Sequence, residues 1–497
     1  MWEGSLTVDI FRTKSVEQSI RDTEDPEHQL RKRLTALDLT VFGIGVIVGT
    51  GIFVLTGQVA KEMAGPAVAV SFVVAGIVCG LAALCYAEFA STIPVAGSAY
   101  TFSFATLGEF PAWIIGWDLF LELALAAAVV AVGWSGYFAS LLSSLGMGLP
   151  ASIAGDDPVV NVPAILIVLL LTSVLVAGIK ISSRVNLILV ITKIAVVLLV
   201  IVAGLFFVKA ANYTPFIPEA VPTGRVEGLK APLIQLVFGI TPVAFGVIGI
   251  FSAAAIVFFA FIGFDIVATA AEETIRPQHD VPRGILGSLA VCTILYVAVS
   301  LVVVGMQRYS ELSTAAPLSD AFTAVGHPWL ATIISVGALA GLTTVVLVLL
   351  LGQTRVLFAM CRDGLLPRPL AKVDRHYGTP ARLTVLIGLV TMVLAGFVSF
   401  GELAELVNIG TLFAFVVVSL GVIILRRTRP DLPRAFRAPL VPLLPILSVL
   451  ACLYLMLNLP VQTWLRFLVW MIIGVVVYLG YGYWNSRNLF PWQRAGR

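Results

Sequence analysis

Val41-Phe-Gly-Ile-Gly-Val-Ile-Val-Gly-Thr-Gly-Ile-Phe53 sets four glycines, Gly43, Gly45, Gly49 and Gly51, in an otherwise apolar run. Each glycine inside a helix costs about 1 kcal/mol relative to alanine. Two readings explain their accumulation. One is a seam of small residues against a neighbouring helix, since Gly45 and Gly49 form GxxxG. The other is a helix that comes apart, exposing carbonyls on one side and the amides of a new helix start on the other. Gly49-Thr50-Gly51 favours the break, because such a turn turns free N–H groups toward an anion, aided by the helix dipole.

The rest of the chain says in what solvent this break sits. Of the 497 residues, 12% are charged and 59% hydrophobic, and the mean hydropathy is +1.01. Soluble domains carry about twice that charge, roughly 25%. A cytosolic enzyme, a secreted domain and a disordered chain are excluded; hydrocarbon is part of the solvent. The net charge of +3 argues for no nucleic-acid partner. The polar first 33 residues hold no apolar h-region, so no cleaved signal peptide is expected. Val8–Ile20 reads either as a short interfacial helix or as a disordered tail.

Twelve apolar windows suffice to cross about 30 Å of hydrocarbon: 37–62, 67–88, 111–142, 163–180, 185–208, 245–270, 284–306, 329–357, 382–400, 405–425, 440–459 and 465–484. They are continuous rather than alternating, which excludes a barrel and leaves an all-α membrane protein. With the N-terminus inside, cytoplasmic segments carry 24 Lys and Arg and external ones six, with Lys193 inside a span. That bias places both ends in the cytoplasm.

The sixth window repeats the theme of the first. In Phe258-Phe-Ala-Phe-Ile-Gly-Phe-Asp265, Asp265 follows Gly263 within an apolar run and reads as a cap. Windows one and six are equivalent if the chain holds two five-helix halves. Interrupted helices at matching places point to a transporter site near the midplane.

Lys193 stands nine residues past Arg184, about 14 Å along a helix, near mid-membrane. A charge there costs at least a few kcal/mol, so function is the default reading; an ion pair with Asp118 or Glu122 is the bland one. Asp118 and Glu122 share a helix face. Glu122 either meets a cationic side chain or anchors a polar network. The five cysteines have no metal or redox spacing and read as small buried hydrophobes. The four histidines fall in polar stretches. No GxxxxGK[ST], HExxH or Gly-x-Ser-x-Gly occurs, so neither ATP-driven transport nor an enzyme is expected, and nothing calls for a cofactor or metal.

Five motifs in order carry a family likeness: Gly43-x-Gly-x-x-x-Gly-Thr-Gly-Ile-Phe; Tyr86-Ala-Glu-Phe with Pro94-x-Ala-Gly-Ser-Ala-Tyr100; Gly116-Trp-Asp-x-x-Leu-Glu122; Phe258-Phe-Ala-Phe-Ile-Gly-Phe-Asp with Ala271-Glu-Glu-Thr274; and Gly352-Gln-Thr-Arg with Arg362-Asp-Gly-Leu-Leu-Pro367. The sequence resembles the amino acid–polyamine–organocation superfamily, and within it the bacterial cationic-amino-acid-transporter branch. The resemblance implies a 5+5 inverted repeat: repeats at 37–208 and 231–425, peripheral helices at 440–484, and cytoplasmic ends at 1–36 and 485–497. It implies that the Thr50 and Gly51 amides hold a substrate carboxylate. The carbonyls of Ile47, Phe259, Ala260 and Ile262 would hold its ammonium, and the Phe259 ring would close the site outward. It gives Lys193 the place of a coupling cation, protonated to bridge helix 1 to helix 8, with Thr343 and Thr344 as candidate partners. The branch usually has an aromatic residue after Glu122; Leu123 stands here, which leaves small neutral and cationic substrates both open. The expected function is amino acid import by proton symport at the plasma membrane. An exchanger is the alternative, and a transporter-like sensor is a third reading. Expected partners are the amino acid, protons and membrane lipid, and a small membrane-protein partner stays open.

Overall fold

The computed structural model describes residues 34–93, 98–154, 158–178, 183–222, 228–374 and 378–487. The possible interfacial helix at Val8–Ile20 and the tail beyond 487 lie outside them. Every apolar window is helical: α1 (Ala36–Ile47), α2 (Val68–Thr92), α3 (Glu109–Ser144), α4 (Val162–Val176), α5 (Ser183–Leu205), α6 (Gly246–Val257), α7 (Pro277–Met306), α8 (Pro328–Arg362), α9 (Ala381–Phe397), α10 (Phe400–Thr428), α11 (Leu443–Leu457) and α12 (Val461–Val477). Among the described residues, eight helical stretches are long and apolar enough to cross a membrane, and α1, α4, α9 and α11 are shorter apolar helices. The ends follow the sequence. Thr35 opens α1 with a capping box, its amide donating to Asp38 Oδ2 at 2.9 Å while its Oγ1 accepts from the Asp38 amide. Asn161 caps α4 by accepting from the Ala164 amide.

Small residues decide which helices lie together, because close backbone approach replaces hydrophobic driving force between helices in lipid. Gly76 of α2 meets Thr293 of α7, Gly116 of α3 meets Met360 of α8, and Gly388 of α9 meets Thr172 of α4. Thus α2 packs along α7, α3 along α8 and α4 along α9. Leu166, Leu169 and Leu170 on α4, and Val469, Ile472 and Val476 on α12, point outward and are exposed. Such faces suit hydrocarbon rather than water. All five cysteines are free and buried.

Two helices do come apart. The chain leaves α1 at Ile47, turns extended at Val48 (ψ 92°), and resumes as a wide π turn over Gly51–Leu55. After α6 it tightens into a 3₁₀ turn at Phe258–Phe261 and extends at Ile262 (ψ 136°). Gly263 then takes φ +118°, which L side chains rarely adopt. The break expected over Gly43, Gly45 and Gly49 is narrower than that: α1 runs unbroken through Gly43 and Gly45, which serve packing. Gly43 lies against Ser288 of α7 and Gly45 against Val190 of α5. The Gly45–Gly49 pair is thereby split, with Gly45 in packing and Gly49 at the opening. Short helices at Ser98–Thr106, Leu233–Phe238 and Pro317–Ala324, and a two-residue antiparallel pair of Val221–Pro222 with Val243–Ala244, fill the connections.

Candidate functional site

The two breaks face each other across a small, partly open pocket. Val46, Ile47, Gly49, Thr50 and Gly51 form one side, and Phe259 and Ile262 the other. Ala126 and Val130 of α3 and Val345 and Leu349 of α8 complete the wall. Among the described residues, no charged side chain lines it. Polarity comes from the backbone instead. The amides of Ile52 and Phe53 both donate to the Gly49 carbonyl, at 3.2 and 3.3 Å. The turn Gly49-Thr50-Gly51 thus opens the resumed helix, with the Gly49 carbonyl as its first acceptor. Thr50 Oγ1 is buried without a partner among the described residues. A buried hydroxyl without a protein partner, at the start of a new helical turn, suits a polar or anionic ligand group. Gly51 is fixed by contact: a Cβ there would strike the Cα and Cβ of Ala260.

The expected carbonyls divide. Ile47, Phe259 and Ile262 line the cavity, whereas Ala260 does not. The Phe259 carbonyl already accepts from the Ile262 amide at 3.2 Å. The Ile47 and Ala260 carbonyls both face the hydroxyl of Tyr296 on α7, at 2.7 and 2.6 Å. Sequence reading missed Tyr296; its one signal is a phenol inside an apolar helix.

Lys193 is wholly buried on α5. Its ammonium donates to the Gly45 carbonyl, with the Val48 carbonyl and Thr344 Oγ1 each at 3.4 Å. The Gly45 carbonyl is available because α1 ends two residues later, where no amide returns to it. The lysine therefore joins the first break to α8, through Thr344. Thr343 instead accepts from Trp134 Nε1 at 3.0 Å. No ion pair of Lys193 with Asp118 or Glu122 occurs among the described residues.

Those two acids do not line the cavity. Asp118 faces the backbone of α10, so that a Cβ on Gly410 would sit 2.8 Å from its Oδ1, and Glu122 packs beside it. Asp265 also lies within electrostatic reach of Glu122; it is the first residue of the 3₁₀ turn Asp265–Glu273, whose N-cap is Phe264, so it does not take the capping position expected of it. Trp117 belongs to a different contact: its Nε1 donates to the Trp470 carbonyl at 2.9 Å and the two rings stack. Among the described residues, no group of three His, Cys, Asp or Glu is placed to hold a metal.

A bundle of apolar helices, two of them opened around a shared pocket, defines a multi-pass membrane protein of the permease class. The chain belongs to the amino acid permease family, whose profile matches residues 34–480, within the amino acid–polyamine–organocation superfamily that its motifs resemble. It is 50% identical to the branched-chain amino acid permease BcaP of Bacillus subtilis, over 96% of this chain and 98% of that protein. It is 46% identical to the methylthioribose transporter of the same organism, over 95% and 97%. It is 38% identical to the vacuolar cationic amino acid transporter 4 of Arabidopsis thaliana, over 85% and 68%. These relatives are transporters, and the chain is read as one.

Proposed function

We propose that this permease is a secondary active transporter that imports a neutral, aliphatic amino acid across the plasma membrane with a proton, by alternating access. The observation that carries the reading is the pocket itself: the Gly49-Thr50-Gly51 turn and the unpartnered Thr50 hydroxyl beside a wall of aliphatic side chains. Every α-amino acid brings the same carboxylate and ammonium, so backbone groups suffice for them. The wall then selects the side chain, and this one offers a guanidinium or lysine ammonium no counter-charge. The name of the branched-chain relative supports the same direction.

In this account the Thr50 and Gly51 amides take the carboxylate. The carbonyls of Ile47 and Ile262, with that of Phe259 at the margin, take the ammonium, and the Phe259 ring closes the site outward. Lys193 holds Gly45 and Val48 against Thr344 while protonated and releases them when it is not. Asp118 and Glu122 form a polar network with α10. The twelve spans form two inverted repeats, at 37–208 and 231–425, with 440–484 peripheral and both ends cytoplasmic. The pairing of α2 with α7, α3 with α8 and α4 with α9, each five apart, supports that two-fold plan, and the bias of bases supports the orientation.

The test is uptake by purified protein in vesicles that hold no substrate, with an inward proton gradient and separate arms for leucine, arginine and methylthioribose. Concentrative leucine uptake is expected. Uptake only into vesicles preloaded with amino acid makes the protein an exchanger. Preference for arginine or methylthioribose refutes the substrate assignment.

A further inference from the structure

Tyr296 is buried on α7 between the rings of Phe72 and Phe261, with centroids 5.5 and 5.2 Å away. That packing fixes its hydroxyl between the two breaks, where the Ile47 and Ala260 carbonyls stand 2.7 and 2.6 Å away. A phenol owns one proton. It donates to one carbonyl at a time, and the other meets its oxygen at hydrogen-bond distance with nothing between. Three buried oxygens therefore share one proton, and one lone-pair contact stays uncompensated. A cationic donor removes the deficit; a neutral hydroxyl does so poorly. Ile47 lines the cavity and Ala260 does not, which decides how the oxygens are shared when ligand arrives. The phenol proton goes to Ala260, and the Ile47 carbonyl, backed by the Tyr296 oxygen, is the acceptor left at the pocket.

We infer that Tyr296 is a specificity-determining residue: its hydroxyl takes the Ala260 carbonyl out of the ligand set and makes the junction of the two breaks selective for a positively charged amino group over a neutral substituent. This rests on the amino acid reading above. It adds the reason that the amino group, and not only the carboxylate, is required.

The experiment compares leucine with 2-hydroxy-4-methylpentanoate, which replaces the ammonium by a hydroxyl and keeps the rest. Inhibition constants against radiolabelled leucine uptake are measured for the wild type, for Tyr296→Phe, and for 4-aminophenylalanine placed at 296 by nonsense suppression. Tyr296→Phe removes the phenol oxygen. The aminophenyl variant gives each carbonyl a proton of its own and keeps the junction tied, so it tests the idea should Tyr296→Phe not fold. Hydrogen bonds to charged groups set the scale. The wild-type preference for leucine over the hydroxy acid is expected to fall at least about tenfold in both variants. Equal weakening of both ligands, with the ratio kept, reduces Tyr296 to a helix tie and overturns the inference. A wild type that takes the hydroxy acid as well as leucine overturns it before any variant is made. A wild type that takes neither ligand refutes the amino acid reading itself, and the inference with it.

Discussion

Replacing Lys193 by methionine separates the proton from the fold. Methionine keeps the stem that packs on Gly341, where a Cβ would sit 3.0 Å from that of the lysine, and deletes only the ammonium. Three acceptors surround that ammonium, but Val48 O and Thr344 Oγ1 lie at 3.4 Å, so one bond, to Gly45, dominates. A hydrogen bond to a charged group contributes about 1.5–3 kcal/mol. Holding a lysine charge at the middle of a membrane costs about 2.5–3.5 kcal/mol. The two terms nearly cancel. Lys193→Met is therefore expected to shift the unfolding free energy by less than about 2 kcal/mol while abolishing the coupling. The assay is paired: thermal unfolding in detergent, and leucine uptake into empty vesicles across a series of external pH values. The variant is expected to unfold close to the wild type and to equilibrate leucine without concentrating it, at a rate indifferent to the proton gradient. Uptake that still follows the gradient would remove Lys193 from the coupling step and refute the reasoning.

Gly51→Ala drives a methyl group into Ala260, an overpacking expected to cost about 1–3 kcal/mol and to weaken leucine uptake by pushing the breaks apart; a variant with wild-type KM and stability contradicts the close approach. Leu349→Ala opens the wall on α8, and by the usual worth of apolar contacts should raise the KM for leucine about tenfold while leaving alanine almost unchanged; a parallel change for both places Leu349 outside the side-chain pocket. Glu88 of α2 is buried, accepts two bonds from Arg426 of α10, at 2.8 and 2.6 Å, and one from the Ala438 amide at 2.8 Å. Glu88→Ala should destabilise by about 3 kcal/mol, because it strands a partly buried arginine; chemical unfolding that matches the wild type would show the clamp to be idle.

The breaks were legible because glycine density and an acid inside an apolar run violate what a plain membrane helix needs. Their extent was not. Gly43 and Gly45 carry the same letter as Gly49 and Gly51, and only the neighbour each one faces, Ser288, Val190 or Ala260, decides between packing and opening. Lys193 announced itself by the energy of its position, yet Thr343 and Thr344 differ by one step of about 100° around a helix, and nothing local says which turns toward α5. Asp118 and Glu122 advertised a shared face correctly, but the face looks to Gly410 rather than the cavity. Tyr296 was out of reach of sequence reasoning. A lone phenol on α7 gains meaning only when two remote carbonyls meet at its oxygen.

A density map of the protein with leucine bound, from electron cryomicroscopy, addresses the grip most directly. The carboxylate is predicted within about 3 Å of the Thr50 and Gly51 nitrogens, with the amino group against the Ile47 carbonyl and the isobutyl group between Val345 and Leu349. Leucine seated elsewhere, or a first helix that closes its own hydrogen bonds through Val48 and Gly49 when leucine is present, would contradict the account.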